Sequence, residues 1–417
     1  MNTMLLAVSG MSPAIITETL FGMNKRGDAW PQSIKVITTS VGEEKIWNGL
    51  IKEGHLSRLC EELGKPIIKM EQSDILVVPN AAGEPVVDAR SEEDHEALAN
   101  FITSTVRDFA QDPNTAIHAS LAGGRKTMTF YLGYAMTLFG RHFDKLSHVL
   151  VSEGFESHPA FYFPTRSDQW ITDRENNQLN MKDAIVTLAD IPFIRQRQLV
   201  PEILTEFGEE VNFRQLVNLI NLGEDQSQIR LAIHSSDQRI ILSSPFYKDI
   251  NIEITFNNVW SWVLYLLIIE DSLLDASDSR GEFTRPSNNE KDRGLASLMA
   301  SKLAEIKAIQ LTVTTLEEKI EQLLNQDKLV DQHPNLERTL KPINEKGGIS
   351  GTQFDTYLQN IQNQLQHALP KNLVHALTPM QIFDADGNRL ENTGKIKHRG
   401  AGYGIALPNP SRQISFN

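Results

Sequence analysis

Short apolar runs alternate with longer amphipathic segments through the first 165 residues, and this alternation constrains the fold more than any other feature. The runs of strand length are 4–8, 34–38, 66–69, 75–78, 116–120 and 146–151. Helical spacing of apolar residues is found in segments 14–23, 43–63, 91–110 and 127–139. This order implies βαβ crossovers and a mostly parallel sheet that is covered on both faces. We therefore predict an α/β, Rossmann-like domain over residues 1–165.

Length and charge limit the classes of protein that this domain can belong to. A chain of 417 residues is too long for one ordinary core, so two or three domains are expected. The net charge of -13 argues against a protein that coats nucleic acid non-specifically, but it is compatible with one local basic pocket. The single cysteine, Cys60, excludes a disulfide framework and indicates a reducing, cytoplasmic location. Its helical setting predicts a buried, inert thiol.

The sequence shows no export signal and no membrane span. The N-terminus lacks a basic region and a small-residue cleavage site. The most apolar stretch, residues 259–269, is far shorter than the ~20 apolar residues that cross a bilayer. We expect it to be a core helix, and we expect no membrane partner.

Two turns follow predicted strands and precede predicted helices. In the first turn, Ser-Gly-Met-Ser-Pro at residues 9–13, Ser12 suits a helix N-cap and Pro13 suits the first helical turn. The second turn, at residues 123–126, is Gly-Gly-Arg-Lys. Both turns should lie at the carboxyl edge of the sheet, where such folds bind ligands.

The Gly-Gly-Arg-Lys turn has the composition of an anion site. A strand that ends in two glycines and restarts as a helix exposes backbone N–H groups, and Arg125 and Lys126 add positive charge. A tight turn with solvated charges is the alternative interpretation. No Gly-x-Gly-x-x-Gly follows the first strand and no Gly-x-x-x-x-Gly-Lys-Ser/Thr is present, so we expect neither a nicotinamide or flavin cofactor nor a P-loop.

Three segments in register, residues 9–20, 36–39 and 120–128, resemble the CARF domains (CRISPR-associated Rossmann fold), and in particular the CRISPR-associated ring nucleases. The resemblance covers roughly residues 1–200. It implies a homodimer whose two-fold axis joins two ligand edges into one pocket. The implied ligand is a cyclic oligoadenylate, of four or six nucleotides, made by type III CRISPR complexes.

Roles for individual residues follow from this resemblance and from the chemistry of RNA cleavage. A ribose 2′-OH that attacks the adjacent phosphate leaves a 2′,3′-cyclic phosphate without a metal, and Lys126 suits the growing negative charge. Ser12 is expected to position the 2′-OH or a phosphate oxygen, unless it is only a helix cap. The expected ligand contacts are Ser9, Gly10, Met11, Thr39, Ser40, Gly123, Gly124, Arg125 and Thr127. His118 alternates with apolar neighbours and is expected to be a satisfied core histidine, so binding without cleavage stays open.

The second half of the chain predicts a different domain. Residues 166–205 are expected to be a connector and residues 206–417 an α+β domain, with short strands at 229–234, 239–242 and 250–256. Residues 395–407 resemble the wing of winged-helix response regulators, and residues 354–369 would then occupy the place of the recognition helix. A helical insertion is expected at about 276–350, with a mobile polar loop at 275–292 and one helical face over 295–324.

DNA binding by this winged helix is not favoured. Residues 354–369 carry six amide side chains but no Lys or Arg, whereas recognition helices contact phosphates through basic residues. The dense basic cluster of the second half is Lys395, Lys397, His398 and Arg399. Because a Gln-rich face can still bind adenines, a transcription regulator that is gated by cyclic oligoadenylate and cleaves nothing is the alternative function.

Overall fold

A computed structural model describes residues 1–156, 158–173, 175–197, 200, 212–274, 282–384 and 401–417. The described residues up to 200, together with residues 212 and 213, form one compact unit. Those from Arg214 onward form a second.

The first unit contains a six-stranded sheet. Its described strands are β1 (Asn2–Val8), β2 (Ser33–Thr38), β3 (Ile75–Val77), β4 (Thr115–Ser120), β5 (Lys145–Val151) and β8 (Val186–Asp190), while β6 (Trp170–Thr172) and β7 (Gln178–Asn180) form a separate hairpin. The sheet order is β3-β2-β1-β4-β5-β8, and all pairs are parallel except β5 with β8. This confirms the predicted mostly parallel α/β sheet. The order reverses between β1 and β4, and ligands bind at such a point in open α/β sheets.

The described helices of the first unit accompany this sheet, whose central strand β1 is buried at every residue after Asn2. They are α1 (Ala14–Arg26), α2 (Ser40–Ile46), a π-helix (Trp47–Lys52), α3 (His55–Leu63), α4 (Glu92–Phe109) and α5 (Lys126–Phe139). The single helix predicted over residues 43–63 is therefore wrong. Gly54 adopts a left-handed conformation with φ of 73° and interrupts the helical path before α3.

Two further expectations for the first unit need correction. Residues 66–69 form no strand, because this segment has no β-ladder with a neighbouring strand. Its apolar side chains Ile68 and Met70 pack into the core from an irregular backbone. The connector expected at residues 166–205 instead contributes β6, β7 and β8. Strand β8 pairs with β5 from Ser147–Asp190 to Val151–Val186, so the sheet, and with it the first unit, extends beyond residue 165.

The second unit has its own sheet and helices. Strands β9 (Arg230–His234), β10 (Arg239–Ser243), β11 (Asn251–Thr255) and β14 (Ile414–Phe416) form a sheet in the order β11-β10-β9-β14, and β12 (Met380–Phe383) pairs with β13 (Gly402–Gly404). The described helices are α6 (Phe213–Leu222), α7 (Val259–Leu273), α8 (Arg293–Ile306), α9 (Leu316–Leu324), α10 (Asp327–Gln332), α11 (Leu336–Lys346), α12 (Gly351–Ala368), α13 (Lys371–Leu377) and α14 (Pro410–Gln413).

Helix α7 is the centre of the second unit. It is buried on nearly every side, with Trp262 and Tyr265 in one apolar cluster and Trp260 and Leu264 in another. This confirms the predicted core helix. Among the described residues, no helix combines the length and the hydropathy needed to span a bilayer.

The helical insertion differs from its prediction. The face expected over residues 295–324 is divided between α8 and α9, because Ala308 adopts a left-handed conformation with φ of 53° and Thr315 caps a new helix. The predicted recognition helix corresponds to α12. Residues 275–281 of the polar loop and the basic wing residues Lys395, Lys397, His398 and Arg399 lie outside the described residues. The winged helix therefore stays a prediction.

Candidate anion-binding site

The turns after β1 and β4 meet at the carboxyl edge of the sheet. Strands β1 and β4 are parallel neighbours up to the pair Ala7–Ser120, so both chains leave the sheet side by side. The backbones then approach closely, because a Cβ built on Gly10 would lie 3.6 Å from the Cα of Gly124. This confirms the prediction that the two turns share one edge.

The glycines of the second turn are required by space and by backbone conformation. A Cβ on Gly123 would lie 2.8 Å from the carbonyl oxygen of Val8 and 3.0 Å from Cγ1 of Ile15. Gly124 has φ of 79°, in the left-handed region that side chains disfavour. The sequence Gly-Gly therefore allows the turn to lie directly against the end of β1.

The first turn is held from the side of β2. The N–H of Ser9 donates to Ile37 O at 3.0 Å, and the hydroxyl of Thr38 donates to Ser9 O at 2.7 Å. Ser9 is buried, and its own hydroxyl donates to Ser12 O at 3.1 Å. The Ser9 side chain thus shapes the turn from within and is closed to solvent, while its predicted contact with a ligand stays a prediction.

Ser12 is not the N-cap of α1, which corrects the prediction. Pro13 occupies that position, and no side chain caps the helix. Ser12 lies one residue further out, exposed, and its hydroxyl makes no hydrogen bond within the described part of the chain. The hydroxyl is consequently free to contact a ligand.

Helix α5 begins with cations and without a side-chain cap. Arg125 is its N-cap residue and Lys126 its first helical residue. Among the described residues, the exposed ammonium of Lys126 has no ion-pair partner. The N-termini of α1 and α5 both lie at this edge, and their unpaired N–H groups and dipoles favour an anion.

Arg125 is held by an acidic residue that the sequence analysis missed. Its Nε donates to Oδ1 of Asp88 at 2.9 Å, and Nη2 contacts the same oxygen. Asp88 also accepts from Nε of Arg90 at 2.9 Å. Hydrogen bonds from Arg125 and then Arg90 lower the pKa of Asp88, so it is charged at neutral pH. Asp88 and Arg90 lie in the segment between β3 and α4 and belong to no recognisable sequence motif. Their position after β3, which ends at the same edge of the sheet, is the one feature of the sequence that could have indicated them.

A cavity of about 720 Å³ opens between these elements. It is lined by the predicted residues Gly10, Met11, Thr39, Gly124 and Arg125. It is also lined by Val41, Val87, Asp88, Arg90 and Met128, which were not predicted. Met11 and Val87 are 62% and 63% exposed, so the lining combines accessible apolar side chains with the charged side chains of Asp88, Arg90 and Arg125. This volume is typical of ligand-binding clefts.

The other predicted residues lie beside this cavity without lining it. Ser12, Gly123 and Lys126 adjoin residues of its wall. Ser40 begins α2, and its N–H donates to Val86 O at 3.0 Å. The hydroxyl of Thr127 is buried and has no hydrogen-bond partner among the described residues.

The buried histidine and the cysteine of the first unit take no part in the site. Nε2 of His118 lies 2.8 Å from Oγ of Ser147, and burial lowers the pKa of the imidazole to about 4. Cys60 is buried, and burial raises the pKa of its thiol. Both expectations, a satisfied core histidine and an inert thiol, are confirmed.

Comparison with known proteins places this site within a family. The model of a family described as CRISPR-associated protein NE0113 matches residues 12–222, half of the chain. The matched range contains β2, β4, α5 and the cavity residues from Thr39 to Met128. No curated protein matches the chain.

Proposed function

The chain belongs to the CRISPR-associated protein NE0113 family, and from that premise we propose that its first unit binds a cyclic oligoadenylate and cleaves it, which ends an antiviral signal. One observation carries the proposal. Two helix N-termini without side-chain caps, the cations Arg125 and Lys126, and a partly apolar cavity meet at the point where the strand order reverses.

The charged and the apolar side chains of the lining suit the two parts of such a ligand. Phosphodiesters are anions, and they suit the fork of Arg125 and the helix N-termini. Adenines are planar and largely apolar on their faces, and they suit the exposed side chains of Met11 and Val87. Thr39, buried at the cavity wall, offers a hydroxyl to ribose or base.

Cleavage at this site needs geometry and charge stabilisation. The ribose 2′ oxygen forms a bond to the adjacent phosphorus, the bond from phosphorus to the 5′ oxygen breaks, and a 2′,3′-cyclic phosphate remains. The 2′ proton passes to water, and the 5′ oxygen takes a proton from water. Ser12 orients the attacking hydroxyl, while Lys126 stabilises the charge on the phosphorane and the leaving oxygen.

A second copy of the chain completes the pocket in this proposal. Cavities of about 300–1,000 Å³ hold drug-sized ligands, and a ring of four or six nucleotides is larger than such a ligand. The cavity of about 720 Å³ therefore holds part of the ring. A homodimer would present the remaining nucleotides to the same residues of the partner.

Incubation with cyclic tetra-adenylate and cyclic hexa-adenylate tests the proposal. We expect linear products with 2′,3′-cyclic phosphate ends, a loss of cleavage of about 100-fold or more in Lys126→Ala, and unchanged cleavage in Lys69→Ala. Lys69 is an exposed lysine of the same unit that lies outside the cavity. Intact rings with the wild-type protein would refute cleavage. If the rings stay intact and the protein binds DNA only when the ligand is present, the function is that of a transcription regulator.

A further inference from the structure

The second unit contains a cavity with a different chemistry. It lies between the N-terminus of α7, the turn that joins α10 to α11, and one face of α12, and it has a volume of about 320 Å³. Seven carboxamide side chains line it, among them Asn360, Asn363 and Gln364 of α12. The chain places these amides together from three separate segments.

Charge is absent from the walls of this amide-lined cavity. No Lys, Arg, Asp or Glu is among the described residues that line it. The single ionisable side chain is His333, and burial, followed by repulsion from Lys307, lowers the pKa of its imidazole. His333 is therefore neutral at physiological pH. A charged ligand would find no counter-ion here, whereas a neutral ligand with several hydrogen-bonding groups would be satisfied.

Several polar groups of the walls have unused hydrogen-bonding capacity. Nδ2 of Asn360 donates to Oγ of Ser261 at 3.3 Å, which leaves its carbonyl oxygen unused. Oδ1 of Asn363 accepts from Gln359 at 2.8 Å, which leaves its amide hydrogens. The side chain of Gln364 makes no hydrogen bond within the described residues, and Nε2 of His333 is buried without a partner there. Donors and acceptors are thus available side by side.

Apolar side chains also line the cavity. Phe256, Val259, Trp260 and Leu336 are all nearly fully buried and form the apolar part of the lining. Asn and Gln side chains form paired hydrogen bonds with the edge of adenine, which presents one donor beside one acceptor. A purine base is also neutral and planar, and it fits a cavity at the small end of the ligand-binding range.

We propose that the amide-lined cavity of the second unit binds an adenine base through the carboxamides of α12. The adenine belongs either to a free nucleoside or to an unpaired nucleotide of a strand. This site is separate from the anion-binding site of the first unit, and neither proposal depends on the other.

Binding of adenosine to the full-length chain, measured by ligand-observed NMR and calorimetry, tests this site. Adenosine carries no phosphate, so it does not require Arg125 or Lys126. We expect Asn363→Leu and Gln364→Met each to weaken adenosine binding by about tenfold, through the loss of hydrogen bonds at nearly constant volume. Gln366→Met, an exposed change on the same helix outside the cavity, should leave binding unchanged.

The outcomes separate the two proposals and the two sources of adenine. Absence of adenosine binding, equal binding of uridine, or unchanged adenosine binding in both Asn363→Leu and Gln364→Met would each overturn the adenine site, whatever happens to cyclic oligoadenylate. Titration of a single-stranded adenine tetranucleotide into Lys126→Ala identifies the source. Tighter binding than adenosine assigns the base to a strand, and equal or weaker binding assigns it to a free nucleoside.

Discussion

Arg125 is hydrogen-bonded to the carboxylate of Asp88, and it is also a proposed contact of the anionic ligand. The carboxylate of Asp88 accepts two hydrogen bonds from its guanidinium, and the pair is partly exposed at the cavity. A phosphate that approaches Arg125 therefore competes with Asp88. If the proposed ligand binds, this competition should set its affinity, and the effect should depend on ionic strength because the groups are accessible to solvent.

Replacement of Asp88 by Asn should tighten the binding of cyclic oligoadenylate several-fold at low salt. The change leaves Arg125 without its counter-ion, and the gain should shrink as salt screens the charge. Dissociation constants at two salt concentrations measure the effect. Asp108→Asn removes the partner of Arg107 outside the cavity, so it should change little. Weaker binding by Asp88→Asn would instead show that Asp88 contacts the ligand directly.

Glu18 is a buried acid in α1 with an unusual titration. Burial, followed by repulsion from Glu156, raises its pKa from 4.5 to about 7. Between pH 4.5 and about 7, Glu18 is therefore protonated in the folded state and ionised in the unfolded state. The contribution of Glu18 to stability is fully present below pH 4.5 and is lost as the pH rises from 4.5 through about 7.

Glu18→Gln should stabilise the protein at pH 8 and leave it unchanged at pH 4. The neutral amide removes the cost of ionisation, which the shift in pKa sets at about 3 kcal/mol at most. Denaturant unfolding of both proteins at the two pH values measures the difference. Glu61→Gln, an exposed change on α3, is the control. An equal change at both pH values would show that packing, and not ionisation, is responsible.

At the scale of elements, the site depends on how closely the turn after β4 approaches the end of β1. Gly123 leaves no room for a side chain, and its contact atoms are the backbone oxygen of Val8 and a core side chain, Ile15. The oxygen of Val8 cannot move without shifting β1. The position of the α5 N-terminus, and with it Arg125 and Lys126, therefore follows from one missing Cβ.

Gly123→Ala should displace this turn and weaken ligand binding by about tenfold or more, with a loss of stability of about 1–3 kcal/mol from overpacking. Gly133→Ala is the matched control in α5, because its Cβ would meet only Leu121 at 3.9 Å. In the helix interior this control should raise stability by up to about 1 kcal/mol. Calorimetric titration and thermal unfolding measure the two effects. Wild-type binding by a folded Gly123→Ala protein would contradict the role of the turn.

At the scale of the whole molecule, each unit has a sheet and apolar clusters of its own. Leu5 is fully buried in a cluster of the first unit, and Leu266 is fully buried in a cluster of the second. Each cluster draws its residues from one unit alone. Stability should accordingly be lost unit by unit.

Leu266→Ala should destabilise the second unit by about 2–5 kcal/mol and leave the first unit protected, while Leu5→Ala should do the reverse. Hydrogen exchange resolved by peptide in moderate denaturant measures both units in one experiment. Ligand binding by the first unit should survive in Leu266→Ala. A loss of protection in both units from either substitution would mean that the chain unfolds as one cooperative body.

The predictions from sequence succeeded where the signal is local. Strands β1, β2, β4 and β5 and helices α1, α4, α5 and α7 follow from apolar spacing and from the small residues that bound them. Errors arose where one backbone conformation or one distant pairing decides the outcome. Gly54 divides a continuous apolar pattern. Strand β8 begins at Val186 and pairs with β5, which ends at Val151, so a whole hairpin lies between the two paired strands.

The sequence by itself determined the two turns, their glycines and the cations at the start of α5, because turn geometry and helix starts are encoded within a few neighbouring residues. Only the tertiary structure decided which distant side chains share the cavity. It brought Asp88 to Arg125, placed Val41 and Val87 in the cavity lining, and gathered the carboxamides of the second unit. These contacts depend on how sheets and helices pack. Packing is set by residues that lie far apart in the chain, so no short window of sequence contains it.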